Sequence, residues 1–246
     1  MSAEFRLGIQ SYCFRNFQPL SALIDCLKKV GLHYVEIWPG HLDYKAGRKV
    51  VREGLDALKK AAITIDSYGV IDVGADEKKD RELFEFCKLA GLQSFSVGGV
   101  KNDAIDMVES LCDEFGINVA IHNHGRRHEF GSFDVLEALF SRTSSRIGLC
   151  MDTAWALDSG EDPVAGVERF GDRLYGVHLK DFIFDEARKP KDVIIGTGGL
   201  DLPAYMDALH AIGFDGYMSL EYEGNADNPM DEVMACMRAV KKAAGA

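Results

Sequence analysis

Four short segments each place a potential metal ligand at the end of an apolar, strand-like run. They are IHNHG (121–125), CMDTAW (150–155), VHLKD (177–181) and SLEYEG (219–224). Because side chains alternate between the two faces of a strand, His122 shares a face with His124, and His178 shares one with Lys180. Imidazole and carboxylate groups are ligands for divalent cations. Together the four segments predict one metal site.

The candidate metal ligands are His122, Asp152, His178 and Glu221. Any one of these four residues alone would indicate a structural role. An aspartate before a helix, for example, usually caps that helix. Burying two carboxylates and two imidazoles together is costly unless a cation compensates for the lost hydration. The nitrogen and oxygen ligand set, without a thiolate, favours a divalent ion, with Mn²⁺ the first choice and Mg²⁺, Co²⁺ or Zn²⁺ the alternatives.

Strand and helix patterns alternate along the whole chain. Apolar runs with strand character predict eight strands, at 5–10, 33–38, 63–68, 94–99, 117–123, 146–152, 174–180 and 216–222. Amphipathic helical patterns lie between them, and several end in a glycine. Eight such units with no linker predict an α/β fold, a single (β/α)8 TIM barrel over residues 1–246, with a doubly wound sheet as the alternative.

Composition limits the classes of partner. The chain has 246 residues, 47% of them apolar, and a net charge of −11, which opposes nucleic-acid binding and favours a small-molecule ligand. No apolar run approaches the roughly 20 residues that span a bilayer, so no membrane partner is expected. The six cysteines form no CxxC pair and the chain starts with the polar MSAEFR, so we expect reduced thiols and a cytoplasmic protein. The sequence does not decide between a monomer and a homo-oligomer.

The order of the motifs resembles the xylose-isomerase-like TIM-barrel family of sugar and sugar-phosphate isomerases and epimerases. The motifs are VEIW, HNHG, DTAW, HLKD and LEYEG, which follow the second, fifth, sixth, seventh and eighth strands. The resemblance covers the whole chain. It implies that Asp152, His178 and Glu221 hold a metal. The fifth-strand ligand, commonly a glutamate in this family, is replaced by His122, so the usual pair of glutamates acting as acid and base is incomplete.

A divalent ion that binds a sugar carbonyl and its neighbouring hydroxyl would acidify the adjacent C–H and stabilise an ene-diolate. The resemblance makes Glu221 the first candidate for the base. Glu36, at the end of the second strand, and His124 are the candidates for its partner, with a structural ion pair and a supporting hydrogen bond as their respective alternatives. Lys180 is predicted to neutralise the developing oxyanion.

Three further residues are predicted to bind the substrate. Trp38 and Trp155 follow strand ends, where they could stack on a sugar ring, although packing would also explain them. Asp181 could bind substrate or form an ion pair with Lys180. The irregular stretch 182–201 could close over a ligand. Within it, GTGGLD (196–201) resembles a phosphate-binding loop but lacks the lysine that normally follows.

Several functions remain open on this scaffold. The first is a metal-dependent isomerase or epimerase of a ketose, keto-sugar or related polyol. The second is a lyase or dehydratase acting on a keto-sugar, an inosose or a 3-keto-glycoside, because the glutamate pair is lost at His122. A DNA-repair endonuclease would need a histidine where Trp155 stands. A sugar-binding barrel without catalysis is the last alternative.

Overall fold

The computed structural model describes residues 5–245, and the predicted domain 1–246 extends past them at both ends. The strands are β1 (Leu7–Gln10), β2 (Tyr34–Ile37), β3 (Thr64–Tyr68), β4 (Ser94–Val97), β5 (Asn118–His122), β6 (Ile147–Asp152), β7 (Leu174–Leu179), β8 (Phe182–Phe184), β9 (Pro190–Asp192) and β10 (Tyr217–Leu220). Strands β1 to β7 and β10 match the eight predicted strands within two residues at either end.

The α-helices lie between the strands and after the last one. They are α1 (Leu20–Val30), α2 (Arg48–Lys60), α3 (Glu77–Ala90), α4 (Ile105–Phe115), α5 (Phe133–Phe140), α6 (Thr153–Ser159), α7 (Pro163–Phe170), α8 (Leu202–Ala211) and α9 (Met230–Ala243). Three short 3-10 helices occupy Ser11–Phe14, Asn102–Ala104 and Gly171–Arg173. Two helices, α6 and α7, fill the connection between β6 and β7.

Eight parallel strands form the sheet in the order β3-β2-β1-β10-β7-β6-β5-β4. Strand β1 pairs with both β2 and β10, so the last barrel strand returns beside the first. The remaining seam, between β3 and β4, is joined by a parallel bridge between Ile71 and Val97. The sheet is therefore a nearly closed barrel, which confirms the predicted (β/α)8 fold and excludes the doubly wound alternative.

The apolar core lies between the sheet and the surrounding helices. Every residue of β4 and of β6 is buried, as expected for parallel strands covered on both faces. Helices α1 and α4 end at Gly31 and Gly116, whose φ angles of 75° and 68° belong to the left-handed region that glycine adopts without strain. These stops turn the chain back toward the next strand.

Parallel strands in a barrel present their carboxyl ends at one rim, and the candidate ligands lie there. His122 is the last residue of β5 and Asp152 the last residue of β6. His178 is the penultimate residue of β7, and Glu221 directly follows β10. The barrel therefore brings together four residues that are far apart in sequence.

The stretch 182–201 is more ordered than its sequence suggests. Strands β8 and β9 pair antiparallel as a short hairpin beside the carboxyl-end rim. The residues Phe182, Ile183 and Phe184 favour a strand, but the charged residues that follow them in the sequence do not. All six cysteines are buried and unpaired, in agreement with the expected reduced thiols. Among residues 5–245, no helix is both long and apolar enough to cross a membrane.

Candidate metal centre and active site

The four candidate ligands converge in the structure. One donor atom from each of His122, Asp152, His178 and Glu221 lies within 4.8 Å of every other. His122 Nε2 is 3.0 Å from His178 Nδ1 and 3.5 Å from Asp152 Oδ2, and His178 Nδ1 is 2.9 Å from Glu221 Oε2. All four residues are buried. This group, called the ligand cluster below, could hold a metal ion.

Asp152 divides its two carboxylate oxygens between two tasks. Oδ1 accepts a hydrogen bond of 2.8 Å from the backbone N–H of Trp155, so it caps α6. Oδ2 is buried and accepts no hydrogen bond. An unsatisfied buried carboxylate oxygen is costly, and a cation at the ligand cluster would compensate for it. The residues present therefore fit a divalent ion.

Glu36 lies beneath the ligand cluster rather than beside the open cavity. Its carboxylate accepts a hydrogen bond of 2.6 Å from His178 Nε2 and one of 2.9 Å from Ser219 Oγ. Ser96 Oγ donates to the other oxygen. Glu36 is completely buried, and these contacts orient the His178 ring so that Nδ1 faces the ligand cluster. Glu36 therefore pairs with His178 and is not among the residues that line the cavity over the ligand cluster.

Lys180 carries a buried positive charge at the edge of the ligand cluster. Its ammonium pairs with Glu223, and its Nζ lies 3.9 Å from both Glu221 Oε2 and Asp192 Oδ1. Burial alone would lower the pKa of Lys180, but Glu221 and the neighbouring carboxylates raise it above its ordinary value. Lys180 therefore stays protonated at neutral pH and does not serve as a base.

The positive charge of Lys180 and the burial of the site shift the pKa values of the carboxylates in opposite directions. Burial alone would raise the pKa of Glu221, but Lys180 and His178 lower it below its ordinary value. For Asp152, burial dominates over Lys180 and raises the pKa to about 6. Glu221 is therefore ionised across the physiological range, as a metal ligand or proton acceptor must be.

His124 stands above the ligand cluster. Its ring centroid is 4.6 Å from that of His122 and 6.4 Å from that of Trp155. Burial, with a smaller contribution from His122, lowers the pKa of His124 to about 3. Its Nδ1 is buried and makes no hydrogen bond. The imidazole is therefore neutral at physiological pH.

A cavity of about 310 Å³ opens over the ligand cluster. It is lined by His122, Glu221, Glu223, His124 and both tryptophans, among others. Trp38 and Trp155 are each half-buried, so both expose aromatic surface to whatever occupies the cavity. The volume suits a ligand about the size of a monosaccharide. This cavity is called the ring cavity below.

Asp181 does not face the ring cavity. Its carboxylate accepts hydrogen bonds of 2.8–3.0 Å from the backbone N–H groups of Gly196, Gly198 and Leu200. The GTGGLD loop thus surrounds a carboxylate of its own chain in the way that such loops surround phosphate. Asp181 holds this loop in place instead of contacting a ligand in the ring cavity.

The sequence profile of the xylose isomerase-like TIM barrels matches residues 102–240, more than half of the chain. The chain belongs to this family. The match runs from before β5 to near the end of α9 and so contains all four residues of the ligand cluster. The resemblance predicted from the motifs is therefore confirmed. Proteins of this family include sugar isomerases, epimerases and dehydratases.

Two curated relatives and one solved structure show the range of similarity within the xylose isomerase-like barrels. The rhizopine catabolism protein MocC of Rhizobium meliloti is 31% identical in an alignment of length 133, with a coverage of 48% for this chain and 40% for MocC. An inosose dehydratase of Clostridium beijerinckii is 24% identical in an alignment of length 160, with a coverage of 58% for this chain and 53% for that enzyme. The chain thus matches about half the length of these relatives.

The solved structure is that of the IolI protein with a bound zinc atom. It superposes with a TM-score of 0.76 at 14% identity, and the alignment covers 98% of each chain. At this level of identity the similarity shows a common fold. It extends over the half of the barrel that the family profile does not match, which agrees with the β1 to β4 strands seen here.

Sequence reasoning missed two buried polar residues of this xylose isomerase-like site. Asn123 donates from Nδ2 to the carbonyl oxygen of Asp152 and accepts from its N–H, at 3.0 and 2.8 Å, so it ties the ends of β5 and β6 together. Thr153 Oγ1 accepts from the N–H of Lys180 at 3.0 Å. Each lies next to a candidate ligand in sequence, which was the available signal for both.

Proposed function

We propose that this protein is a divalent-metal-dependent lyase that removes a proton next to the carbonyl of a keto-sugar or keto-inositol and expels a β-hydroxyl or another β-substituent. The observation that carries the proposal is the imidazole of His122 at the fifth-strand position of the ligand cluster. An epimerase needs a proton-transfer group on each face of the carbon that it inverts, whereas elimination needs only one base. The inosose dehydratase relative supports the same choice.

The ligands would be His122, Asp152, His178 and Glu221, and Mn²⁺ or Zn²⁺ suits two imidazoles with two carboxylates. When bound, such a cation polarises a carbonyl and makes the adjacent C–H more acidic. The sugar would occupy the ring cavity, which Trp38 and Trp155 line together with His122 and Glu221. Aromatic surface on both sides excludes water from the reacting carbons.

Glu221 acts as the base because it is ionised and lines the ring cavity. It accepts the proton from the carbon beside the carbonyl, and the C–H electrons pass into an enolate. When the enolate re-forms the carbonyl, a double bond to the β-carbon forms and the C–O bond of that carbon breaks. The departing hydroxyl takes the proton back from Glu221 and leaves as water, which restores the carboxylate. Lys180, held protonated 3.9 Å from Glu221, stabilises negative charge that develops on the carbonyl oxygen.

One observation favours an isomerase or epimerase as the second candidate. His124 lines the same cavity with a neutral imidazole. If the ring N–H of His124 reaches the opposite face of the sugar, it would deliver a proton there while Glu221 keeps the proton that it removed, and the carbon would be inverted. The two candidates share the first proton transfer and differ in whether the carbanion expels a substituent or regains a proton.

The experiment that separates them is reaction in D₂O with a panel of ketoses, inososes and 3-keto-glycosides in the presence of Mn²⁺ or Zn²⁺. A lyase releases water or an aglycone and yields an unsaturated product, seen by mass and ultraviolet absorption. An isomerase gives a product of unchanged mass apart from deuterium. Isomers without any elimination product would overturn the lyase proposal.

Variants assign the roles. We expect Asp152→Ala and Glu221→Ala to abolish turnover while the barrel stays folded, because residues at the strand ends contribute to function more than to the core. His124→Gln separates the mechanisms, since it should stop an epimerase but leave an elimination that Glu221 completes alone. Wild-type rates in Asp152→Ala or Glu221→Ala would remove that residue from the site.

A further inference from the structure

A second cavity, of about 610 Å³, lies beside the ring cavity. One wall is the loop between β5 and α5, and the other is the tip of the β8–β9 hairpin. His124 and Trp155 line both cavities. A molecule whose ring occupies the ring cavity could therefore extend past these two side chains into the second one.

The lining of the second cavity is cationic, although the chain as a whole carries a net charge of −11. Arg126 and Arg127 come from one wall, and Arg188 and Lys189 come from the other. Asp158 is the one carboxylate of this lining. We call it the cationic cavity. The surface that a ligand in this cavity would contact therefore carries four cations and one carboxylate.

One of the four cations of this cavity has a carboxylate partner, and the other three do not. Arg126 Nη1 lies 2.6 Å from Asp158 Oδ1, so these two residues form an ion pair. The other three cations, Arg127, Arg188 and Lys189, have no carboxylate partner among residues 5–245, and all three are exposed to the cavity. An anion bound among these three cations would be attracted to each of them.

The arginines of the two walls are held in place by contacts across the cavity. Arg126 Nη2 donates to the carbonyl oxygen of Arg188 at 3.1 Å, and Arg188 Nη2 donates to the carbonyl oxygen of Asp158 at 3.3 Å. The Arg188 guanidinium lies 4.4 Å from the centre of the Phe184 ring. These contacts fix the shape of the cavity before a ligand binds, which lowers the entropic cost of binding.

We propose that the substrate carries an anionic group, a carboxylate or a phosphate, which binds in the cationic cavity while the keto-sugar ring lies over the ligand cluster. Arg127 and Lys189 are the residues that recognise it, since both charges are unpaired and they approach from opposite walls. Guanidinium and ammonium groups form their strongest hydrogen bonds with oxyanions. This inference rests on the proposed function only in placing the ring.

The test compares matched sugars that differ in one anionic group. D-fructose is paired with D-fructose 6-phosphate, and D-glucose with D-glucuronate, so the two pairs distinguish phosphate from carboxylate. Binding to the Mn²⁺-loaded protein is measured by calorimetry, at low and at high ionic strength. We expect at least one anionic member to bind about tenfold or more tighter than its neutral partner, and the advantage to shrink as salt screens the charges.

The variant is Arg127→Gln/Lys189→Gln, and the matched control is Arg48→Gln/Lys49→Gln, which removes the same two charges from the start of α2. We expect the anionic preference to disappear in the first and to persist in the second, with both proteins folded by circular dichroism. Equal binding of both members of each pair to the wild type, no measurable binding of any, or a preference that survives in Arg127→Gln/Lys189→Gln would overturn the proposal.

The two proposals fail in different ways. Binding without turnover, with the anionic preference intact, would count against the lyase and leave the cationic cavity assigned. Elimination from neutral substrates with no anionic preference would support the lyase and reject the cationic cavity as a substrate site.

Discussion

The hydrogen bonds around His178 show how one residue can prepare another for metal binding. His178 is completely buried, and its Nε2 donates to Glu36 while its Nδ1 faces the ligand cluster. Burial alone would raise the pKa of Glu36, but His178 lowers it, so Glu36 remains a carboxylate. Such a partner fixes the imidazole and increases its basicity as a ligand.

We expect Glu36→Gln to weaken metal binding by about 10- to 100-fold, because the amide loses the charge that orients and polarises His178. The measurement is competition for Mn²⁺ or Zn²⁺ against a chelating dye. Asp66→Asn is the matched control, since Asp66 is another carboxylate inside the barrel that does not contact the ligand cluster. Equal metal affinity of Glu36→Gln and the wild type would show that His178 needs no such support.

At the scale of elements, the residues after β7 organise the rim. The chain leaves the barrel at Lys180 and Asp181, enters the β8–β9 hairpin and returns through the GTGGLD loop. Asp181 joins the beginning and the end of this excursion through three backbone N–H groups. Only 1% of the Asp181 surface is exposed, so those hydrogen bonds are shielded from water.

We expect Asp181→Ala to lower the free energy of unfolding by about 2–4 kcal/mol, because it leaves three backbone donors without their acceptor. Chemical denaturation measures the change. Asp201→Ala is the control, since Asp201 caps α8 through a single backbone N–H and its loss should cost about 1 kcal/mol. If both variants lost the same stability, Asp181 would not hold the loop as described.

A second element-level feature lies in β3. The register of β3 against β2 shifts between Val35 and Glu36, so Asp66 is an extra residue without a partner in β2. Asp66 as a whole is partly exposed to solvent, but both of its carboxylate oxygens are inaccessible to solvent and accept no hydrogen bond. Burial, followed by the charge of Glu36, raises the pKa of Asp66 to about 8.

This pKa gives a stability dependence with a definite sign. In the unfolded chain the Asp66 carboxyl is ionised above about pH 4, whereas in the folded protein it keeps its proton up to about pH 8. The folded state therefore binds more protons in this window, and stability falls as pH rises through it. Asp66→Asn should remove that fall and stabilise the protein by about 1–3 kcal/mol near pH 8.

The check is urea denaturation of the wild type and Asp66→Asn between about pH 5 and about pH 8. A chelator is included so that pH-dependent metal binding does not contribute. Parallel stability curves for the two proteins would mean that Asp66 ionises normally and that its burial is relieved by water or local movement.

At the scale of the whole molecule, the ligand cluster connects strands from the second half of the barrel. Its residues come from the ends of β5, β6, β7 and β10, which the sheet places side by side in the order β10-β7-β6-β5. A cation bound there would hold four adjacent strands at one rim. Metal binding should therefore stabilise the entire fold rather than one loop.

We expect Mn²⁺ or Zn²⁺ to raise the melting temperature and EDTA to lower it. Ligand at a thousandfold excess over its dissociation constant stabilises the folded state by about 4 kcal/mol. Differential scanning calorimetry measures the shift, and Asp152→Ala, which lacks one ligand, should show none. A metal-dependent shift of full size in Asp152→Ala would place the cation elsewhere.

Local sequence patterns were enough to predict the barrel and the ligand cluster. Strand periodicity and the alternation with helices are local properties, and parallel strands necessarily end at one rim. His122, Asp152, His178 and Glu221 could therefore be predicted to meet from their positions at strand ends. The same reasoning put Lys180 on the strand face of His178, because residues two positions apart on a strand share a face, and the Lys180 ammonium lies 3.9 Å from Glu221.

The roles of the remaining side chains could be seen only in the folded protein. Glu36 supports His178 from below, Asp181 holds a loop, and Asp66 lies in a bulge whose position depends on the register with β2. The cationic cavity joins arginines 62 residues apart, Arg126 and Arg188. Loop paths, bulges and the partners of buried carboxylates depend on contacts between distant segments, about which the local periodicity of a sequence carries no information.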